Sequence, residues 1–244
     1  MRTALMMLLL FCGSVLSAQT LEFLRRLPHS GYSEGLSYHE KFLWHALPEQ
    51  IVKIETTDGR VVATYKPATK YSESLTWFQG KLWNVSFSDN GIYAGTLKNG
   101  NLSFERVGTT PEIHAWGLTH DGKHLIFTGN FSRKIYFWDP KSRTVVRELE
   151  TSIKDIEDLA WDGVGLWSSS FTAHKGKIFR IDPKSGRVSG FFELPDPESC
   201  PVVDGIAYHD GELWVTGKHC PSIWVLRKPT ERAISSSASN GPAR

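Results

Sequence analysis

Four acidic residues and one tryptophan occupy the same position in five related segments, two residues before an apolar residue. They are Glu34, Glu73, Trp116, Glu157 and Asp204. Carboxylates that lie close together raise one another's pKa and cost free energy unless they are paired, so such a cluster is a candidate site for binding a cation or moving protons. For one acid alone we would favour a structural role, such as a hydrogen bond to the backbone at a strand end. Four acids at equivalent positions favour a functional site.

The five segments form a repeat with a constant internal spacing. Each has an apolar anchor, and the anchors Leu36, Leu75, Leu118, Leu159 and Ile206 are separated by 39, 43, 41 and 47 residues. In every copy a second anchor follows 7 residues later, at Leu43, Leu82, Leu125, Leu166 and Leu213. A repeat of about 40 residues with strand-like content is typical of the blades of a β-propeller.

The strand pattern predicts four complete blades and one blade that lacks its last strand. Blades one to four each contain four short β-patterned stretches, with turn sequences such as Thr57-Asp58-Gly59 between the last two. The fifth blade has three, and the N-terminal segment Leu21–Leu27 is available as the fourth. Pairing it there would close the ring and leave no exposed sheet edge. We therefore predict an all-β fold, a five-bladed β-propeller closed by an N-terminal strand, as one domain over residues 19–228.

Propeller geometry predicts where the five repeated residues lie. The first strand of each blade lines the central channel and starts at one face, and the second strand returns to that face. The five residues therefore converge on one mouth of the channel, where the ends of second strands add Phe87, Phe171 and Lys218. Cys200 and Cys220 fall on the same face in neighbouring connections of blade five, so a disulfide between them is sterically sensible.

Composition and the two termini indicate an exported globular protein. The 244 residues are 40% hydrophobic, and the formal net charge of +2 is too small to indicate a nucleic-acid partner. Residues 1–18 combine Arg2, a short apolar run and small residues ending at Ala18, which predicts a signal peptide and export to the periplasm or the extracellular space. A membrane anchor is the alternative, but the run is shorter than the roughly 20 residues that a span needs. Residues 229–244 lack periodicity, and we predict a disordered tail.

Six stretches of the sequence carry a resemblance to a known family. They are Tyr32–Leu36, Tyr71–Trp77, Ala115–Gly122, Lys177–Gly186, Asp204–Tyr208 and Val215–Lys218. In this order and spacing they resemble the glutamine cyclotransferase family, the plant and bacterial type of glutaminyl-peptide cyclase, over nearly all of residues 30–227. The resemblance implies a five-bladed propeller that uses neither a metal nor another cofactor. It also implies a reaction that cyclises the N-terminal glutamine of a peptide or protein to pyroglutamate and releases ammonia.

The resemblance also assigns roles to individual residues. Glu73 matches the family glutamate that handles the protons of the substrate α-amine, a task for a carboxylate within hydrogen-bond reach. Lys218 matches the motif lysine, whose cation could steady the oxyanion that develops on the carboxamide. We take these two as the candidate catalytic residues, although Lys218 could instead serve as a partner for the acids. The candidate substrate-binding residues are Glu34, Phe87, Trp116, Glu157, Phe171 and Asp204.

Four of these positions depart from the family pattern. Glu34 stands where the family has glutamine, and Glu157 stands where it usually has asparagine. Phe87 and Phe171 replace tryptophans that help to wall the pocket. Amide side chains can donate a hydrogen bond to a carboxamide oxygen, whereas an ionised glutamate cannot. The retained Glu73, Trp116 and Lys218 therefore argue for activity, and the four changes argue for an altered substrate or for lost catalysis.

Two other functions are compatible with the same residues. The acids Glu34, Glu73, Glu157 and Asp204 could ligate Ca²⁺ or a similar hard cation, as in metal-dependent propeller lactonases. Lys218 would sit awkwardly beside such an ion. Alternatively, the propeller could bind peptides or amines at its aromatic, acidic mouth without catalysis. The leading prediction is an exported, monomeric enzyme whose partner is an N-terminal glutamine, with no nucleic acid and no membrane once the signal peptide is cleaved.

Overall fold

The structure, a computed structural model, describes residues 19–29, 32–171 and 175–228. The strands, in chain order, are β1 Gln19–Thr20, β2 Glu22–Pro28, β3 Leu36–His39, β4 Phe42–Leu47, β5 Gln50–Glu55, β6 Val61–Tyr65, β7 Ser72–Phe78, β8 Lys81–Ser86, β9 Gly91–Lys98, β10 Asn101–Thr109, β11 Ala115–His120, β12 Leu125–Gly129, β13 Lys134–Asp139, β14 Thr144–Glu150, β15 Ile156–Trp161, β16 Leu166–Ser170, β17 Lys177–Ile181, β18 Val188–Glu193, β19 Val202–His209, β20 Glu212–Lys218 and β21 Ser222–Arg227. The described part of the chain contains no helix long and apolar enough to cross a membrane. The predicted signal peptide and the predicted tail lie outside the described residues.

The strands form five sheets, each of which is one propeller blade. Blade one is β3 to β6, blade two β7 to β10, blade three β11 to β14 and blade four β15 to β18, while β19 to β21 belong to blade five. The first strands β3, β7, β11, β15 and β19 contact one another in a closed circle. The prediction of an all-β, five-bladed β-propeller is confirmed.

The N-terminal strand completes blade five, as predicted. Strand β2 pairs antiparallel with β21, with Leu27 opposite Ile223. The segment does more than was predicted, because β1 also pairs in parallel with β18 of blade four, with Gln19 opposite Phe192. Leu21, between the two strands, is buried and donates its backbone N–H to Glu193. The N-terminal segment therefore ties the last two blades together.

The hydrophobic core lies between adjacent blades. Each of the five junctions has its own cluster of buried side chains, and the repeat anchors contribute to all of them. At the junction of blades one and two, for example, Leu75 and Leu82 pack against Trp44 and Ile51. This arrangement explains the constant anchor spacing, because the two anchors lie on neighbouring strands of one blade and face the same neighbouring blade.

The carboxylate of Asp158 links all five blades inside the central channel. Asp158 is 1% exposed, and its two oxygens accept hydrogen bonds from the N–H groups of Leu36 (3.3 Å), Leu118 (3.4 Å) and Ile206 (2.8 Å) and from the Ser74 hydroxyl (2.9 Å). These donors lie on the first strands of the four other blades. Asp158 was not among the predicted site residues. It fixes those strands relative to one another and thereby positions the residues at the mouth.

The first strands approach so closely that small residues are needed beside Asp158. The residues immediately before the anchors of the other blades are Gly35, Ser74, Gly117 and Gly205. A Cβ atom on Gly117 would lie 2.9 Å from the Asp158 Cα, and one on Gly205 would lie 2.5 Å from the Glu34 carbonyl oxygen. Both distances are shorter than real Cβ contacts, so the channel has room for only one larger side chain at this level.

Candidate functional site

The structure brings the predicted acids together at one mouth of the channel. Glu34, Glu73, Glu157 and Asp204 are each at most 5% exposed. Carboxylate oxygens of Glu34, Glu73 and Glu157 lie within 4.8 Å of one another. The site is therefore a compact, buried cluster of like charges.

Lys218, at the end of β20, lies within this cluster. Its Nζ is 3.2 Å from Asp204 Oδ1, 3.3 Å from Glu157 Oε1 and 3.4 Å from Glu34 Oε2. Its backbone N–H donates to the other oxygen of Asp204 at 2.8 Å. The sequence left open whether Lys218 is a partner of the acids, and these contacts show that it pairs with three of them. The ammonium supplies the main positive charge that offsets the cluster.

Local irregularities in the first strands aim the mouth residues inward. In blades two to five the pairing between the first and second strands shifts register beside the mouth residue, between Ser72 and Ser74, Ala115 and Leu118, Ile156 and Leu159, and Val203 and Gly205. A bulge of this kind redirects a side chain at the end of a strand. In blade one, Glu34 precedes β3, and the adjacent Gly35 N–H bonds to the Glu73 carbonyl at 2.8 Å.

Burial controls the protonation of the cluster. It raises the pKa of Glu34 to about 7, although Lys218 acts in the opposite direction. Burial also holds the pKa values of Glu73 and Glu157 well above their usual range, with further increases from Glu34 and from Asp204, respectively. Burial alone would lower the pKa of Lys218, but Asp204 and the other carboxylates raise it overall, so the lysine stays charged.

Several polar atoms at the mouth have no hydrogen-bond partner among the described residues. One of them, Glu34 Oε2, lies 3.4 Å from the Lys218 ammonium. The others are Glu73 Oε2, Glu157 Oε2 and Trp116 Nε1, and all are buried. Buried polar groups are nearly always hydrogen-bonded, so atoms that lack a partner mark places where a ligand can supply one. The atoms of Glu73, Glu157 and Trp116 together offer two carboxyl oxygens and one N–H donor to a polar ligand.

Aromatic side chains wall the mouth. Phe171 packs edge-on against Trp116 at 5.9 Å between ring centres, and its ring lies 5.2 Å from Lys218 Nζ. Phe87 stacks on His114 at 4.3 Å and contacts Tyr71 at 5.4 Å. Phe87 and Phe171 are each 36% exposed, so both are accessible to a ligand. The structure thus places all eight predicted site residues around one opening.

Two tyrosines at the mouth were not among the predicted site residues. Tyr71 donates its hydroxyl to Glu34 Oε1 at 2.5 Å, and the Tyr32 ring lies 5.3 Å from Lys218 Nζ. The sequence held a usable signal, because Tyr-Ser-Glu occurs twice and each tyrosine is two residues before a mouth glutamate. In extended chain, residues two apart face the same side.

The cluster also has the composition of a cation site. Glu34, Glu73 and Glu157 could supply three carboxylate oxygens to a hard ion. Two of these residues are already paired with the Lys218 ammonium, which would repel such an ion. Any cation at this site, whether an organic ammonium or a metal ion, would therefore share these acids with Lys218.

The fold and this site define a five-bladed β-propeller with a buried carboxylate–lysine cluster at one mouth of its channel. The chain belongs to the glutamine cyclotransferase family, whose sequence model matches residues 12–227. The predicted resemblance to this family is confirmed.

Solved structures share the fold. The crystal structure of Myxococcus xanthus glutaminyl cyclase superposes with a TM-score of 0.74 at 17% sequence identity, over 86% of this chain and 97% of that one. A search of curated protein sequences found no match.

Proposed function

We propose that this chain is a glutaminyl-peptide cyclotransferase that converts N-terminal glutamine to pyroglutamate and releases ammonia. Family membership supports the reaction class. The observation that carries the assignment to this site is Glu73, a buried carboxylate with an unpartnered oxygen at the channel mouth.

Glu73 has the properties that a proton carrier for this reaction needs. Cyclisation forms a bond between the α-amino nitrogen and the γ-carbonyl carbon, and it breaks the bond between that carbon and the amide nitrogen. Glu73 takes the proton from the attacking amine and delivers one to the leaving ammonia. Its raised pKa brings it closer to that of an α-amine, roughly 8, which favours transfer in both directions.

The remaining mouth residues bind the substrate and stabilise charge. The acids attract the amino terminus, while Trp116 and Phe171 contact the apolar part of the glutamine side chain. Lys218 lies beside the acids, so its ammonium group can stabilise the negative charge that develops on the γ-carboxamide oxygen during attack.

Ammonia release from a short glutamine-initiated peptide tests the proposal. We expect steady release by the wild type and a loss of about 10²–10⁴-fold in kcat in Glu73→Gln, because the amide cannot accept the proton. Glu148→Gln is the matched control, since Glu148 is exposed and pairs with Lys134 on the outer blade surface. Near-ultraviolet circular dichroism checks that both variants are folded. Equal rates in Glu73→Gln and the control would refute the role of Glu73.

A chelator and a binding assay separate the two other functions. The oxygen cluster of Glu34, Glu73 and Glu157 favours metal-dependent hydrolysis as a second candidate. Release that EDTA abolishes and Ca²⁺ restores would move the assignment to that class. Binding of the peptide without ammonia release at any pH would make the protein an amine-binding propeller instead.

We also propose that the protein is exported and acts as a monomer. The disulfide between Cys200 and Cys220 supports export, because such bonds persist in oxidising compartments. Residues 1–18 have the composition of a signal peptide. Mass spectrometry of the protein recovered from the exported fraction, with a new N-terminus near Gln19, tests the first point, and sedimentation analysis tests the second.

A further inference from the structure

Exposed apolar side chains are concentrated around the mouth. Five of the nine large apolar side chains that are exposed in the described part of the chain lie there, and we call them the apolar rim: Tyr32, Phe87, Ile113, Phe131 and Phe171. The other four are scattered, three on the outermost strands of three blades and Val164 in a turn at the opposite face. Single exposed apolar residues are ordinary, whereas a contiguous apolar patch marks a surface that binds a partner.

The apolar rim is continuous with the buried site. Trp116, which is 5% exposed, contacts Phe131 at 5.8 Å between ring centres, and Phe131 is 62% exposed. This aromatic contact leads from the acid cluster to the outer surface. In the connection that leads into the same blade, Ile113 is 76% exposed, and its neighbour in sequence, His114, stacks on Phe87. A ligand held by the acids therefore has apolar surface beside it where it leaves the mouth.

Phe131 has a backbone conformation that phenylalanine rarely adopts. Its φ is 54°, and it is the third residue of a turn in which the Ser132 N–H donates to the Gly129 carbonyl at 3.3 Å. Glycine or asparagine is the usual residue where a turn needs a positive φ, because a bulky side chain is strained there. Strained residues cluster at functional sites. Burial does not explain this phenylalanine, since its side chain is mostly exposed, so the exposed ring itself is what the position supplies.

We propose that the apolar rim binds the side chains of the second and third residues of the substrate peptide, so that the protein prefers an N-terminal glutamine followed by apolar residues. The proposal rests on the proposed function, which places the substrate amino terminus at the acids. Charge complementarity favours such a ligand, because four buried acids surround one ammonium group and attract a second cation. Extended chain advances by about 3.3 Å per residue, so the next two residues reach about 7–10 Å from the amino group and cross the rim.

Phe131→Asn and Val164→Asn form a matched pair of variants for the test. Asparagine tolerates a positive φ, so Phe131→Asn removes the ring without adding backbone strain. Val164 is 77% exposed in the turn between β15 and β16, at the opposite face, so Val164→Asn removes exposed apolar surface away from the mouth. Ile113→Asn is a second rim variant, in a different connection of the chain. Chemical denaturation checks that each variant is folded.

Ammonia release from Gln-Phe-Ala-amide and Gln-Gly-Ala-amide measures the preference. In the wild type we expect kcat/KM to be about tenfold higher for the first peptide, because burial of an apolar side chain against the rim adds binding free energy. We expect this ratio to fall by about threefold or more in Phe131→Asn and in Ile113→Asn, because part of the apolar surface is lost. Val164→Asn should keep the wild-type ratio. A wild-type ratio near one, or a ratio no lower in either rim variant than in Val164→Asn, would overturn the proposal.

Isothermal titration calorimetry with the same peptides separates this proposal from the proposed function. If the wild type releases no ammonia from either peptide, the proposed function fails, and binding alone decides the role of the rim. Binding of Gln-Phe-Ala-amide that is about tenfold tighter than that of Gln-Gly-Ala-amide, and that weakens in Phe131→Asn, would support the rim as a peptide-binding surface. Acetylation of the amino group should abolish this binding. Equal affinities for the two peptides, unchanged affinity after acetylation, or no binding at all would overturn the proposal.

Sedimentation analysis tests the other occupant of the rim, a second copy of this chain. A rim that joined two copies would give a concentration-dependent dimer, which Phe131→Asn would abolish and Val164→Asn would not. That result would assign the rim to self-association and overturn its role in substrate selection. A monomer across the whole concentration range would support the proposal.

Discussion

At the scale of single residues, the site has four acids and only a few hydrogen-bond donors to stabilise their negative charge. Lys218 contacts Glu34, Glu157 and Asp204, and no second lysine or arginine pairs with these acids among the described residues. Burial raises the pKa of Glu34, one of these acids, to about 7, so Glu34 changes protonation near neutral pH. A cationic substrate entering it would supply charge that the protein itself lacks.

Glu34 should make the stability of the protein depend on pH. Its pKa is about 7 in the folded protein against 4.5 for the free side chain, so the folded state binds this proton more tightly. The resulting stabilisation is fully present below about pH 4.5, decreases as the pH rises toward about 7, and is absent above that. We expect Glu34 to contribute a fall of up to about 3 kcal/mol in the free energy of unfolding across this range.

Urea denaturation of the wild type and Glu34→Gln between pH 5 and pH 8 measures this effect. The amide cannot titrate, and it can still accept the Tyr71 hydroxyl, so the variant should show a flatter dependence. Glu148→Gln should keep the wild-type slope because its side chain is exposed. Parallel curves for the wild type and Glu34→Gln would show that Glu34 does not bind this proton.

The sequence predicted the mouth residues because a single register rule places them. Glu34, Glu73, Trp116, Glu157 and Asp204 share one position in the repeat, at or just before the start of each blade's first strand, and the first strands all start at one face. The same rule could not find the pairing of Lys218 with three acids, because that contact depends on side-chain directions across blades. The role of Tyr71 was not predicted for a related reason, since its hydrogen-bond partner Glu34 belongs to a different blade.

At the scale of strands, the circle of first strands tolerates no added volume. Gly117→Ala should lower the free energy of unfolding by about 1–3 kcal/mol or more, because the new Cβ meets backbone atoms of Glu157 and Asp158 at 2.9 Å. Gly190→Ala is the matched control, since its nearest neighbour would be the edge of the Phe192 ring at 3.2 Å. Chemical denaturation of the two variants compares the costs. Equal costs would mean that the first strands can move apart.

The strands themselves were predictable, but their irregularities were not. Turn sequences and apolar alternation located the blades, and the missing strand of blade five identified β2 as its partner. Neither pattern contains β1, whose two residues pair with a blade that does not otherwise need them. The bulges beside Glu73, Glu157 and Asp204 likewise arise from pairing with a second strand, which alternation within one strand cannot reveal.

At the scale of the whole molecule, the disulfide reinforces the last blade. Cys200 and Cys220 are 20 residues apart in sequence, and both are buried beside the junction of blades four and five. Replacing both with serine should lower the free energy of unfolding by about 3 kcal/mol, through the greater freedom of the unfolded chain.

Denaturation with and without a reductant tests this expectation. The wild type should lose stability on reduction, whereas the double serine variant should not respond. An exposed double variant, Ser142→Ala with Ser185→Ala, is the control. It changes two side chains in turns and leaves the disulfide intact, so it should still lose stability on reduction. A double cysteine variant as stable as the oxidised wild type would show that the strand pairing of blade five is sufficient without the bond.

Asp158 has a consequence for the symmetry of the molecule. Five equal blades would place five equal residues around the channel axis, yet five aspartates would collide there and five glycines would leave the N–H groups of Leu36, Leu118 and Ile206 without an acceptor. In this chain one copy carries an aspartate where the others carry small residues, and its carboxylate accepts hydrogen bonds from all four other blades. Divergence among the copies therefore lets one side chain satisfy donors that five identical small residues would leave to solvent.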